Sequence, residues 1–129
     1  MIRFTVNLDT DAAAAKLTEA VQAVPMGLVA HINGQANAAK KGITVPADQI
    51  LEVFRPDFAI RVWKADKRAG MDIPLRIHLY EADGKTVVAF RPALAVFAPY
   101  ANGELNAIAA ELDPIFTGIL AALDPYKEH

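Results

Sequence analysis

Apolar and polar positions alternate from the start of the chain. Ile2, Phe4, Val6 and Leu8 are separated by Arg3, Thr5 and Asn7. A period of two predicts a strand with one buried face. The pattern then changes: Leu17, Val21 and Val24 recur at helical spacing, with alanines filling the rest of the face. This predicts a helix capped by Thr10 or Asp11 and closed by Pro25 and Gly27. Leu28 to Asn33 reads as a second strand, with Leu28, Ala30 and Ile32 on one side and Val29 and His31 on the other. Gly34 to Gly42 reads as a helix of about two turns bounded by glycines. Gln49 to Phe54 is a third strand. It ends at Arg55-Pro56 because proline lacks the donor that continues a ladder.

The clearest signal runs from Asp72 to Pro92, which reads as a β-hairpin with Asp83-Gly84 at its tip. Asp-Gly suits the left-handed positions of a type I′ turn. Such a turn sets Leu79 opposite Val88 and Ile77 opposite Phe90 on one face. The other face then carries Arg76, His78, Tyr80, Val87, Ala89 and Arg91. Residues 57–71 give a mixed signal, because Phe58, Ile60 and Val62 alternate while their neighbours permit a helix. A turn with an irregular or helical connection is expected there, with Trp63 on a domain face or at an interface. From residue 103 onward Leu105, Ile108, Leu112, Ile119 and Leu123 form a helical stripe capped by Asn102. Asp113-Pro114 either kinks that helix or starts a second one, and the last residues, 126–129, are expected to fray.

The expected fold is therefore a single α+β domain over residues 1–129. Its sheet is mainly antiparallel and packed against helices, with the hairpin central and a long helix at the C-terminus. A chain of 129 residues, 53% hydrophobic and 22% charged, can bury one real core and lacks the signature of disorder. Cysteine and serine are absent, which removes disulfides, thiol catalysis, thiolate metal sites and the serine triad. A formal charge of −2 without a dense basic patch argues against nucleic acid as a partner. The start of the chain has no signal-peptide pattern, and the longest apolar runs are shorter than a membrane span. The expectation is a cytoplasmic protein without membrane contact.

An ordered set of residues carries a resemblance. His31 is followed by Ala38, Ala39 and Gly42. A strand then ends in Val53-Phe54-Arg55-Pro56, and IPLRIHLYE (73–81) precedes Asp83-Gly84. The set resembles the bacterial and archaeal domain-of-unknown-function 302 (DUF302) family over nearly the whole chain. Where that family has a Phe-Gly-Asn-Pro phrase, this chain has Phe54-Arg55-Pro56, one residue shorter and basic. The resemblance implies a TATA-binding-protein-like arrangement, with a curved antiparallel sheet and helices against one face. It also implies a homodimer. Relatives in sulfur-oxidising bacteria make haem a candidate ligand.

Two groups of residues could carry chemistry. His31, at a strand end beside a glycine-bounded segment, is a candidate haem or metal ligand or an acid/base group. His78 shares a hairpin face with Arg76, Tyr80 and Arg91, which could clamp a small anionic ligand, with Arg55 as a further member. A metal site joining His31 and His78 would need carboxylates such as Glu52, Asp72 or Glu81, and no metal-binding motif fixes them together. The functional expectation is a small-ligand-binding homodimer, with His31 and the Arg55, Arg76, His78, Tyr80 and Arg91 set around one pocket and haem as a candidate cofactor. The alternatives are a small enzyme on an anionic metabolite with His31 or His78 as general base, and a structural or interaction domain whose polar face binds a partner, a reading that a flat apolar face around Phe58 and Trp63 would favour.

Overall fold

The structure, a computed structural model, describes residues 1–128; His129 lies outside the described residues. Strand β1 (Ile2–Val6) leads into helix α1 (Thr10–Ala23) and strand β2 (Gly27–Asn33). A short helix α2 (Gly34–Ala39) follows, then β3 (Asp48–Phe54) and α3 (Pro56–Ala65). A 3-10 segment (Lys67–Asp72) precedes the paired strands β4 (Leu75–Ala82) and β5 (Lys85–Phe90). The chain ends with α4 (Ala93–Phe97), α5 (Gly103–Leu120) and a closing 3-10 segment (Ala121–Tyr126). The five strands form one antiparallel sheet in the order β1-β5-β4-β3-β2.

Alternation along the strands decides the layers. Val6, Leu51, Val53, Leu75, Ile77, Leu79, Val88 and Phe90 point into a core with Leu17 and Val21 of α1 and Leu105, Ile108, Leu112 and Phe116 of α5. In β4 and β5, Ile77 lies opposite Phe90 and Leu79 opposite Val88. Asp83 and Gly84 link these strands with φ of 54° and 74°, values that aspartate tolerates and glycine adopts freely. Phe90 stacks on Phe116, with ring centres 4.9 Å apart, which locks α5 onto the sheet.

Several local expectations are corrected. Asp9, with extended backbone, caps α1 by accepting from the Ala12 N–H at 2.7 Å. Thr10 and Asp11 are already inside the helix, and their side chains bond elsewhere. Residues 56–65 are helical because Phe58 and Val62, four apart, are buried together while Ile60 faces outward. A bulge between Leu28 and Ala30 in β2 puts Leu28 opposite Val53 and Ala30 opposite Glu52. The two therefore face opposite sides, and Val29 is left exposed.

Asp113-Pro114 starts no second helix, because α5 runs through Pro114. Asp113 instead accepts the Ala93 N–H at 2.7 Å and the Leu94 N–H at 3.2 Å, capping α4. The end of the described chain is tied down: the Asn7 N–H bonds Tyr126 O, and the Glu128 N–H bonds Thr5 O. Gly103–Tyr126 also reaches the length and mean hydropathy (1.3) of a membrane span, although polar residues interrupt its apolar runs. Here its apolar stripe is buried in the core.

Candidate functional site

The helices cover one face of the sheet and leave the other open. Across the open face runs a row of Arg3, Ala89, His78, Ile50 and Ile32 on successive strands. His78 Nε2 lies 2.9 Å from Asp48 Oδ1, and its ring is tilted by 32° against that of Tyr80 with centres 4.8 Å apart. A carboxylate only accepts, so Nε2 carries the hydrogen. One step along the strands, Arg76 Nη2 is 3.7 Å from Glu52. Arg76 and Arg91 line one cleft of about 360 Å³ together with Glu52, Asp72, Pro74 and Val96. Asp72 accepts the Tyr100 hydroxyl hydrogen, and that bond raises the Tyr100 pKa above its ordinary value. Among the described residues no carboxylate lies within ion-pair distance of Arg91.

The predicted set does not share one pocket. His31 pairs with Leu51, and Leu51 with Ile77, so its side chain takes the helix-covered side at the β2 edge. His78 pairs with Ile50 and takes the other side. The sheet separates the two rings, and a metal site joining them is ruled out by strand parity. Among the described residues no group of three or more histidines and carboxylates could hold a metal ion. His31 Nε2 lies 2.6 Å from Gln49 Oε1, and Gln49 Nε2 donates to Asp11 Oδ1 at 2.7 Å.

Arg55 stands apart from both. Its Nε and Nη2 donate to Asp57 at 2.7 and 3.1 Å, its Nη1 donates to Pro25 O at 3.0 Å, and its guanidinium lies 4.8 Å from the centre of the Phe58 ring. The hydrogen bond between them raises the Arg55 pKa and lowers that of Asp57. These bonds fasten the start of α3 to the turn before β2, so Arg55 is a structural clasp and not a member of the open face. Beside it lies an apolar groove of about 500 Å³ lined by Leu28, Val29, Phe54, Pro56, Trp63 and Ile73, among others. Trp63 is half exposed there.

The groove is the place to test haem. No histidine, methionine or tyrosine lines it, so it offers no side chain of the types that bind haem iron axially. His31 is exposed at the sheet edge with Nε2 already bonded. This groove therefore supplies no axial ligand for haem iron.

Sequence reasoning missed a further, larger cleft than these. It measures about 690 Å³ and sits over the first turn of α1, where Asp9, Thr10, Asp11, Glu81, Lys85 and Thr86 line it. Thr10, Gln49 and Thr86 are the buried polar side chains among the described residues, and all three gather at this end of α1. Thr86 Oγ1 donates to Leu8 O at 2.7 Å and lies 3.2 Å from Thr10 Oγ1. A signal was present: Gln49 and Thr86 occupy inward positions in strands whose other inward residues are apolar.

Comparisons with known proteins agree with this architecture. The sequence model described as "Domain of unknown function DUF302" matches residues 2–123. A solved structure described as "uncharacterized conserved protein DUF302 from Bacillus stearothermophilus" is similar, with a TM-score of 0.83. The likeness covers 95% of this chain and 96% of that one at 20% identity, which bears on the fold alone. No curated protein matches the sequence.

Proposed function

The chain belongs to the DUF302 family, and from that premise we propose that it binds a small anionic ligand in the cleft between Arg76 and Arg91. One observation carries this reading: Arg76 and Arg91 line the same cleft, and Arg91 has no carboxylate partner among the described residues. Arginine presents a planar fork of donors that fits a carboxylate or phosphate through parallel hydrogen bonds. Asp72, occupied by the Tyr100 hydroxyl, and Glu52 would orient a ligand that also carries donors. NMR titration with citrate and with inorganic phosphate tests the reading. Shifts should cluster around residues 72–76 and 91, and Arg91→Ala should weaken binding roughly tenfold, the loss of one charged hydrogen-bonding partner. Arg55→Ala should bind as the parent does. Equal binding by Arg91→Ala would sink the proposal.

A second reading, a homodimer across the open face, rests on the distribution of its charges. Strand β4 divides the face: Arg3 and Arg91 lie on the β1–β5 side, Asp48 and Glu52 on β3. A twofold axis along β4 would set the cationic half of one copy over the anionic half of the other. Sedimentation velocity on Arg91→Glu, Glu52→Arg and the double exchange tests it. Each single variant should shift the population toward monomer and the double variant should restore the dimer. A monomeric parent protein would end this reading and leave anion binding untouched.

A further inference from the structure

Gln49 is 1% exposed, and both ends of its amide are used. Its Nε2 donates to Asp11 Oδ1 and its Oε1 faces His31 Nε2. Asp11 fixes the direction of this chain. An ionised carboxylate only accepts, so the amide must turn its NH₂ toward Asp11 and its oxygen toward His31. Turning the amide over would bring its oxygen against the carboxylate, with an acceptor facing an acceptor. His31 must then donate from Nε2, and the neutral ring holds its lone pair on Nδ1. Nδ1 makes no hydrogen bond among the described residues, and the residue is exposed.

Protonation at Nδ1 leaves the Nε2–H donor unchanged. The ring therefore keeps one position in both charge states, and a single nitrogen gains and loses the proton. A histidine that merely filled the sheet edge would need no buried amide aimed at it and no carboxylate behind that amide. A base oriented by a second group, itself held by a third, is the general logic of an activated imidazole.

We infer that Asp11 and Gln49 are positioning residues for His31: they hold its ring at the β2 edge in the Nε2–H form, with the Nδ1 lone pair turned to solvent as a nucleophile and proton acceptor. This site lies on the opposite side of the sheet from the Arg76–Arg91 cleft and stands independently of anion binding.

The test is imidazole nitrogen NMR on the full chain, combined with mass mapping of acylation by diethyl pyrocarbonate, a probe of unprotonated and accessible ring nitrogens. The parent protein should show His31 as the pure Nε2–H tautomer, acylated at Nδ1. Gln49→Met keeps the bulk but not the hydrogen bonds, so it should give averaged tautomers and several-fold slower acylation. Asp11→Ala, at an exposed position, frees the direction of the amide without opening the core and should resemble Gln49→Met if that variant does not fold. An Nδ1–H tautomer in the parent would overturn the inference, as would folded Gln49→Met or Asp11→Ala with parental tautomer and rate.

Discussion

The two faces of the sheet are made by the same strands and differ in what covers them. On the covered face Leu51, Ile77, Leu79, Val88 and Phe90 are buried. On the open face their immediate neighbours include Glu52, Arg76, His78 and Tyr80. A change on the covered face removes packing in a dense interior. A change on the open face removes polar contacts that water can replace. The sheet thus holds its stability on one side and its accessible charge on the other. At one end the division fails, because Gln49 and Thr86 bring polar groups to the covered side.

The sharpest way to break this comparison is to set Phe116→Ala against His78→Ala. Phe116 is fully buried and stacked on Phe90. Its truncation should cost about 3–5 kcal/mol, the range for a large aromatic leaving a cavity. His78→Ala, with its Asp48 contact at the surface, should stay within about 0.5 kcal/mol. Urea denaturation of both variants measures the difference, and equal losses would refute the division of roles.

Gly27→Ala tests the β2 edge. A Cβ on Gly27 would sit 2.9 Å from the Phe54 carbonyl oxygen, a backbone atom that cannot swing aside. The strand pair must open, at a cost of about 1–3 kcal/mol. Thermal unfolding measures it. A smaller expected effect belongs to Asp113→Ala, which strips the cap from the Ala93 and Leu94 N–H groups. It should cost about 1 kcal/mol, with faster hydrogen exchange confined to α4 if the cap is its main role.

Much of the fold was legible because periodicity reports burial directly. The register of β4 and β5 follows from Asp83-Gly84, and the stripe of α5 from Leu105, Ile108 and Leu112. Two kinds of information were not local. The bulge at Val29 reverses the parity of one strand, and nothing in Leu28–Ala30 announces it. The grouping of site residues depends on which strands are neighbours and which face each side chain takes. Arg76 and Arg91 could be brought together from hairpin register alone. His31 could not be assigned to the far side without the β2–β3 pairing, and Arg55 could not be placed without Pro25, 30 residues earlier. The Asp11–Gln49–His31 chain joins three elements. Only the anomalous inward position of Gln49 hinted at it.

The smallest expected effect concerns pH and lies outside both faces. Asp57, Asp66 and Glu111 each have a pKa held below the ordinary carboxylate value, chiefly by a side-chain hydrogen bond from Arg55, Arg68 and Arg61 respectively. In the unfolded chain these groups take up protons first, near pH 4. The unfolded state therefore binds more protons over that window, and stability rises with pH through it. The contribution is complete above about pH 4 to 5 and is lost as pH falls through the lower folded values. The Arg55–Asp57 and Arg61–Glu111 pairs are solvent-exposed and Asp66 meets an exposed Arg68, so each effect is small and weakens with salt. Asp57→Asn with Glu111→Gln should flatten the acid limb of a stability–pH curve while Tyr80→Phe, on the open face, leaves its slope unchanged. A parental slope in the double variant would show that these two pairs do not set the acid limb, and urea midpoints from pH 2 to 6 at low and high salt would decide it.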